Sequence, residues 1–256
     1  MHRRPPTHER PPFGALSPLA GLLFGALSLS LVAGPACAQS DRPAERDGVY
    51  EGREIAGVMS WRGASWLERD SRDREEDTKL LMKELPIEKG DTVVDMGCGS
   101  GYFARLMSPM VGRRGKVLCV DIQPQMIEIA RRLAEEAGLA NIEFILNTPT
   151  DAMLPEGEID LILLVDVYHE FAEPEPMLDA MRRSLSEDGV AALVEYRLEG
   201  DSANWIRPDH RMSIEQVEKE WLPAGFRQVR RFDGLPSQHL FLFQRDDTGA
   251  DGPNPK

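Results

Sequence analysis

The densest chemistry in this sequence lies in VVDMGCGSGYF, residues 93–103, where Asp95 precedes Gly97, Gly99 and Gly101. Glycine lets a backbone turn sharply and approach a ligand that any Cβ would exclude. A helix opening behind such a loop offers N–H groups at its first turn. A dinucleotide site would carry G-x-G-x-x-G/A with a pyrophosphate on that helix. Counted from Gly97, the third small residue falls at Tyr102, too large for close helix–strand packing, which argues against a nicotinamide enzyme. LCVDIQPQM then places Asp121 20 residues after Gly101, at the end of the next apolar run. A carboxylate there is positioned to accept both hydroxyls of a ribose, and Asp95 to take an amine directly or through water. A nucleoside with a charged amino-acid tail suits all three features.

These residues need rigid elements to hold them. Thr92–Met96, Lys116–Asp121, Ile142–Leu146, Ile159–Val165 and Val190–Tyr196 read as apolar strands. Tyr102–Met110, Pro124–Gly138 and Pro176–Leu185 read as helices between them. Continuous apolar strands separated by helices imply a parallel sheet covered on both faces. Ser213 N-caps a further helix that Gly225 terminates, and Phe226–Phe232 and His239–Phe243 read as two last strands. Upstream, residues 53–85 form a helical cap, periodic from Ile55 to Leu85 with an interruption near Gly63; Pro86 ends it.

Composition bounds the class. The 256 residues are 41% hydrophobic, enough for one packed α/β domain, and the formal charge of −13 would repel a phosphate backbone, so no nucleic-acid partner is expected. Three cysteines are too few for a disulfide framework, and Cys98 and Cys119 read as small core residues. Residues 1–38 read as a secretory signal, with Arg3, Arg4 and Arg10 before the apolar run Leu19–Ala33 and Ala36-Cys37-Ala38 at the cleavage site. The expected location is periplasmic or secreted; a membrane is a partner only if that segment is kept as an uncleaved anchor. Residues 39–52 read as a flexible leader and 246–256 as a disordered tail.

The chain resembles the class I S-adenosylmethionine-dependent methyltransferases over roughly Gly90–Arg245. The matching pieces are DMGCGSG (95–101), Asp121, DLILLVDVYHEF (160–171), LSEDGV (185–190) and AGF (224–226). Further stretches, GREIAGVMSWRGASWLERDSRDREED and LPSQH among them, look like an exported, largely uncharacterised bacterial group. The resemblance implies a Rossmann-like α/β fold: a seven-stranded, mostly parallel sheet with an antiparallel last strand and helices on both faces. It implies S-adenosyl-L-methionine as cofactor, with Gly97–Gly101 around its methionine part and Asp121 on its ribose. Asp95, Ile122 and Asp166 complete that set of candidates. In many relatives an acid after the third strand contacts adenine; here the run is LNTPTDAMLP, and Asn147 and Asp151 both remain open for that place.

Methyl transfer is mostly positioning and desolvation, with a base needed where the nucleophile must lose a proton. His169, His210 and His239 all map to the carboxyl edge of such a sheet, with Glu170, Glu195 and Tyr196 nearby. His169 or His210 is the expected base, oriented by Glu195 or Glu170. A two-histidine, one-carboxylate metal site lacks tight ligand spacing, so no metal is assigned. Trp61, Trp66, Arg69, Arg72 and Glu76 read either as a lid over the cavity or as anchors of the cap to the core. The expected activity is methylation of a small-molecule or lipid-like acceptor; the rival reading is a binding module that kept the pocket and lost catalysis. Oligomeric state is not legible.

Overall fold

The computed structural model describes residues 48–247. The secretory segment read over 1–38, most of the leader and most of the tail lie outside the described residues. Among the described residues no helix is long and apolar enough to cross a membrane.

Seven strands form one sheet: β1 (Thr92–Met96), β2 (Lys116–Asp121), β3 (Ile142–Leu146), β4 (Ile159–Val165), β5 (Leu185–Tyr196), β6 (Phe226–Phe232) and β7 (Gln238–Arg245). Their order is β3-β2-β1-β4-β5-β7-β6. β1 to β5 pair in parallel, while β7 runs antiparallel to both β5 and β6. The Rossmann-like α/β sheet with an antiparallel last strand is therefore present. The central strands are mostly apolar because both faces are covered, with Asp95 and Asp121 near the carboxyl ends of β1 and β2. Val93, Val117, Cys119, Leu161 and Leu163 pack into one layer, and Val94, Leu118, Val120, Ile162 and Leu164 into the other. α3 (Thr78–Glu84), α4 (Tyr102–Val111) and α5 (Pro124–Glu136) cover the first layer; α6 (Pro174–Ser184) and α7 (Ile214–Trp221) cover the second.

Three differences from the sequence reading have local causes. The cap is not one interrupted helix over 55–85. It is a 3₁₀ turn at Trp61–Gly63 followed by α1 (Ala64–Leu67), α2 (Arg72–Glu76) and α3. Asp77 makes the sharpest break. Its backbone is left-handed (φ 50°), which aspartate tolerates, and its carboxylate accepts the Leu80 N–H at 3.2 Å to start α3. The leader expected over 39–52 ends in order, since Val49–Tyr50 pairs with Arg53–Glu54. Arg53 ties that ribbon to the domain by a two-pronged contact to the buried Glu220 at 2.9 and 3.1 Å. Lastly, Cys98 and Cys119 are buried but not merely small core residues, because a disulfide joins them.

Candidate active site

The carboxyl ends of β1 to β5 and the segment 58–72 enclose a cavity of about 330 Å³. Ligands collect at that edge of an open parallel sheet because helix N-termini and loops converge there. Gly97, Gly99, Asp121, Ile122, Asn147, Asp166, His169 and His210 line it, whereas Asp95, Gly101, Asp151 and Glu195 do not.

The glycine loop is shaped by close approach. At Gly97 (φ +68°) an added Cβ would stand 2.2 Å from Val167 Cγ2, and at Gly99 (φ +52°) 2.5 Å from Leu67 Cδ1. Gly101 faces away from the cavity, where a Cβ would press on Ala130 of α5 at 3.0 Å. Asp95 lies beneath the loop. Its Oδ2 accepts the Ala104 N–H at 2.8 Å, holding the first turn of α4, and burial pushes its carboxyl up to about 7.

Asp121 is the last residue of β2. Its Oδ2 accepts the Gly99 N–H at 2.9 Å and its Oδ1 the Gln123 N–H at 2.8 Å. Burial raises its pKa, and those backbone donors oppose the shift. A carboxylate oxygen has two lone pairs, so each oxygen keeps one for a vicinal diol. The alternatives left open after the third strand are separated: Asn147 lines the cavity with Oδ1 buried and unpartnered, while exposed Asp151 accepts the Met153 N–H at 2.8 Å. Asp166, just past β4, is held at φ +51°. Its Oδ2 accepts from Gln238 Nε2 at 2.7 Å, and its Oδ1 is buried without a partner. Burial, then repulsion from Glu76 and Glu195, drives its pKa well upward. Two orphaned acceptors, a diol-ready carboxylate and a glycine surface fit a ligand carrying an exocyclic amine, a diol and a cationic group.

The other end of the cavity is built from β4 and β5. His169 Nδ1 stands 2.6 Å from Glu195 Oε2, and its backbone N–H donates to Glu195 Oε1 at 3.3 Å. A carboxylate against Nδ1 fixes the proton there and leaves the lone pair on Nε2. Burial opposes charging of the ring, but Glu195 outweighs it and the His169 pKa is raised. The His210 ring sits 5.1 Å from the His169 ring, centroid to centroid. Glu170 accepts the Met59 N–H at 3.1 Å, and burial pushes its carboxyl up to about 7. His239 is elsewhere, clasped between Asp233 (2.7 Å) and Glu199 (3.1 Å), so two of the three histidines reach the cavity rather than all three.

The cap both borders the cavity and is anchored to the core. Trp66, Leu67 and Arg72 line the cavity, while Arg69 and Arg72 converge on buried Glu76 at 2.5 and 2.9 Å and anchor the segment. Val58, Met59 and Gln123 were not singled out by sequence reasoning. Gln123 accepts the Trp61 N–H at 3.0 Å and donates to the Met59 carbonyl at 2.9 Å, clipping the cap to the sheet edge. A lone glutamine after a strand carries no signal that would mark it.

A methyltransferase-domain family profile matches residues 87–234, more than half of the chain. The chain is 29% identical over 191 residues to the uncharacterized methyltransferase YcgJ of Bacillus subtilis (strain 168), covering 69% of this chain and 73% of that protein. It is 32% identical over 111 residues to a protein-L-isoaspartate O-methyltransferase of Methanococcus maripaludis, covering 43% of this chain and 50% of that one. The chain thus spans about half the length of that relative. A solved SAM-dependent methyltransferase from Aquifex aeolicus superposes with a TM-score of 0.67 at 25% identity, over 73% of this chain and 98% of that one.

Proposed function

We propose, from the premise that this chain belongs to the class I S-adenosylmethionine-dependent methyltransferases, that it methylates a small-molecule acceptor with an ionisable hydroxyl. The observation that carries the reading is the polarity of one cavity. Its glycine end offers acceptors for a nucleoside and a cation, and its opposite end offers a buried histidine backed by a buried carboxylate.

In this reading Asp121 takes the ribose hydroxyls, Asn147 Oδ1 the adenine amine, and Asp166 Oδ1 faces the cationic part of the cofactor. When bound, S-adenosylmethionine supplies a methyl group whose bond to sulfur breaks as the bond to the acceptor forms, leaving S-adenosylhomocysteine. Met96, Val58, Phe171 and Met177 wall the cavity with apolar surface, so that water displaced by bound ligands strengthens each charge interaction inside it. His169 Nε2 supplies the lone pair that relieves the acceptor hydroxyl of its proton. Glu195 holds the ring and stabilises the imidazolium that results. His210, in contact with His169, borders the acceptor.

The test is formation of S-adenosylhomocysteine from S-adenosylmethionine across a panel of small hydroxyl acceptors, in the native chain and in His169→Gln. The expected result is turnover by the native chain and a loss of about 10²–10⁴-fold in the variant, with cofactor affinity unchanged. Equal turnover in both would remove His169 from the reaction. Absence of turnover with the cofactor bound would favour a binding module that has lost catalysis.

A further inference from the structure

We propose that His169, Glu170 and His210 form a binding site for a divalent transition-metal ion at the acceptor end of the cavity. The proposal rests on the methyltransferase reading and deepens it, since an ion there would select the acceptor.

Each of the three offers a ligand-type atom, and these atoms lie within 4.8 Å of one another. All three side chains border the same cavity. Sequence spacing hides the set, because His210 stands 41 residues from His169. The parallel pairing of β4 with β5 brings the loops behind those strands together.

The surroundings point to a cation. A metal-ligating histidine characteristically gives its second ring nitrogen to a carboxylate, which fixes the ring and raises the basicity of the free nitrogen. His169 does this with Glu195, which is fully buried and also accepts the His169 backbone N–H. His210 Nδ1 is buried and makes no aligned hydrogen bond, although Asp209 Oδ1 lies 3.1 Å away. Glu170 spends Oε1 on the Met59 N–H and keeps Oε2. Neighbouring sheltered carboxylates are matched by arginines: Glu76 by Arg69 and Arg72, Glu220 by Arg53, Glu68 by Arg105. Among the described residues no lysine or arginine pairs with Glu170, and Glu195 pairs with His169 alone. One divalent ion on His169 and Glu170 would compensate both carboxylates.

The donor set also limits which ion. Two imidazoles with one carboxylate suit zinc, iron, cobalt or manganese rather than magnesium or calcium, which favour all-oxygen shells. Donors about 2.0–2.2 Å from one ion stand roughly 3–3.5 Å apart. His169 is fixed, and the half-buried Glu170 and His210 close the remaining distance by side-chain rotation. Three protein ligands leave open positions, as in catalytic zinc sites. The acceptor class that fits is a compact molecule whose hydroxyl has a second oxygen on the adjacent carbon, able to chelate the ion between apolar walls. Coordination would lower the hydroxyl pKa and pass its proton to bulk water; with Nε2 on the ion and Nδ1 on Glu195, this replaces the base role given to His169 above and leaves the methyltransferase reading unchanged.

The probe is Co²⁺, added to the chelator-stripped full chain and followed by visible absorption and calorimetry. S-adenosylhomocysteine binding is measured on the same samples. The expected result is one ion per chain with a d–d band. Affinity should fall at least about 10-fold in Glu170→Gln and in His210→Ala, and about 10–100-fold in Glu195→Gln. His239→Gln, which alters a histidine outside the cavity, should leave the band unchanged. Addition of a catechol should shift the band. Retained S-adenosylhomocysteine binding with no Co²⁺ band, or with a band insensitive to these substitutions, overturns the metal site alone. A folded native chain that binds no S-adenosylhomocysteine overturns the reading beneath it.

Discussion

At the residue scale, the cavity is lined by acceptors, two of which, Asn147 Oδ1 and Asp166 Oδ1, are buried without a hydrogen-bond partner. Asp166 is the clearest case. Its backbone is left-handed, one oxygen is satisfied by Gln238, and the other is buried without a partner. Burial and two nearby glutamates favour its neutral form, so a cationic ligand must draw it into the charged one. Asp166→Asn should therefore weaken S-adenosylmethionine by about 10–100-fold, the range of a charge-assisted contact. S-adenosylhomocysteine, which lacks the sulfonium charge, should be weakened less. Parallel calorimetric titrations measure that difference, and equal losses for the two ligands would assign Asp166 to some other part of the cofactor. The sequence marked Gly97, Gly99, Asp121 and His169 through residue type and place. It left Asn147 and Asp151 open because only the path of the chain after β3 decides which one turns inward.

At the element scale, strands β1 to β4 and β6 are legible to the residue. The inner strands β1, β2 and β4 are near-continuous apolar runs ended by glycine or charge, while the edge strands β3 and β6 stand out by their β-branched and aromatic residues between turn signals. The cap is not legible, because apolar periodicity over 55–85 carries no trace of the left-handed turn at Asp77. Nor is the disulfide, which depends on β1 and β2 being neighbours. Cys98 and Cys119 span a sequence separation of 21 residues, and the bond ties the glycine loop to β2. Closing a loop of that length restricts the unfolded chain by about 3 kcal/mol. Reduction, or Cys98→Ser with Cys119→Ser, should lower the denaturant midpoint by a corresponding amount. It should also weaken cofactor binding, since Gly97 and Gly99 flank Cys98. An unchanged midpoint under reductant would show that the two thiols are not joined in solution.

At the scale of the whole molecule, a formal charge of −13 surrounds a cavity that itself buries several acids, which favours cationic cofactors and disfavours polyanions. The buried acids also set a pH dependence. Asp95 is raised from 3.8 to about 7, chiefly by burial. Between those values the folded chain keeps a proton that the unfolded chain has lost. The stability this contributes is complete at low pH and is lost as pH rises through about 7. Asp95→Asn keeps an oxygen for the Ala104 N–H and removes the charge. The variant should match the native chain near pH 4 and exceed it by about 2–4 kcal/mol near pH 8, at about 1.4 kcal/mol per pKa unit. Urea unfolding at the two values measures this, and a constant difference would deny that Asp95 titrates on its own. Topology also explains a partial miss. The antiparallel β7 does begin at the site edge, where Gln238 reaches Asp166, but the next residue, His239, turns to Asp233 and Glu199.

The most direct test of the central claim is calorimetric titration of the chain with S-adenosylmethionine and S-adenosylhomocysteine, beside Asp121→Ala. Asp121 bridges the glycine loop and the cavity through the Gly99 and Gln123 N–H groups. The account predicts binding of both ligands by the native chain and a loss of about 10-fold or more in the variant, the cost of two charge-assisted hydrogen bonds. Folded native chain that binds neither ligand, or binding that Asp121→Ala leaves unchanged, would contradict it.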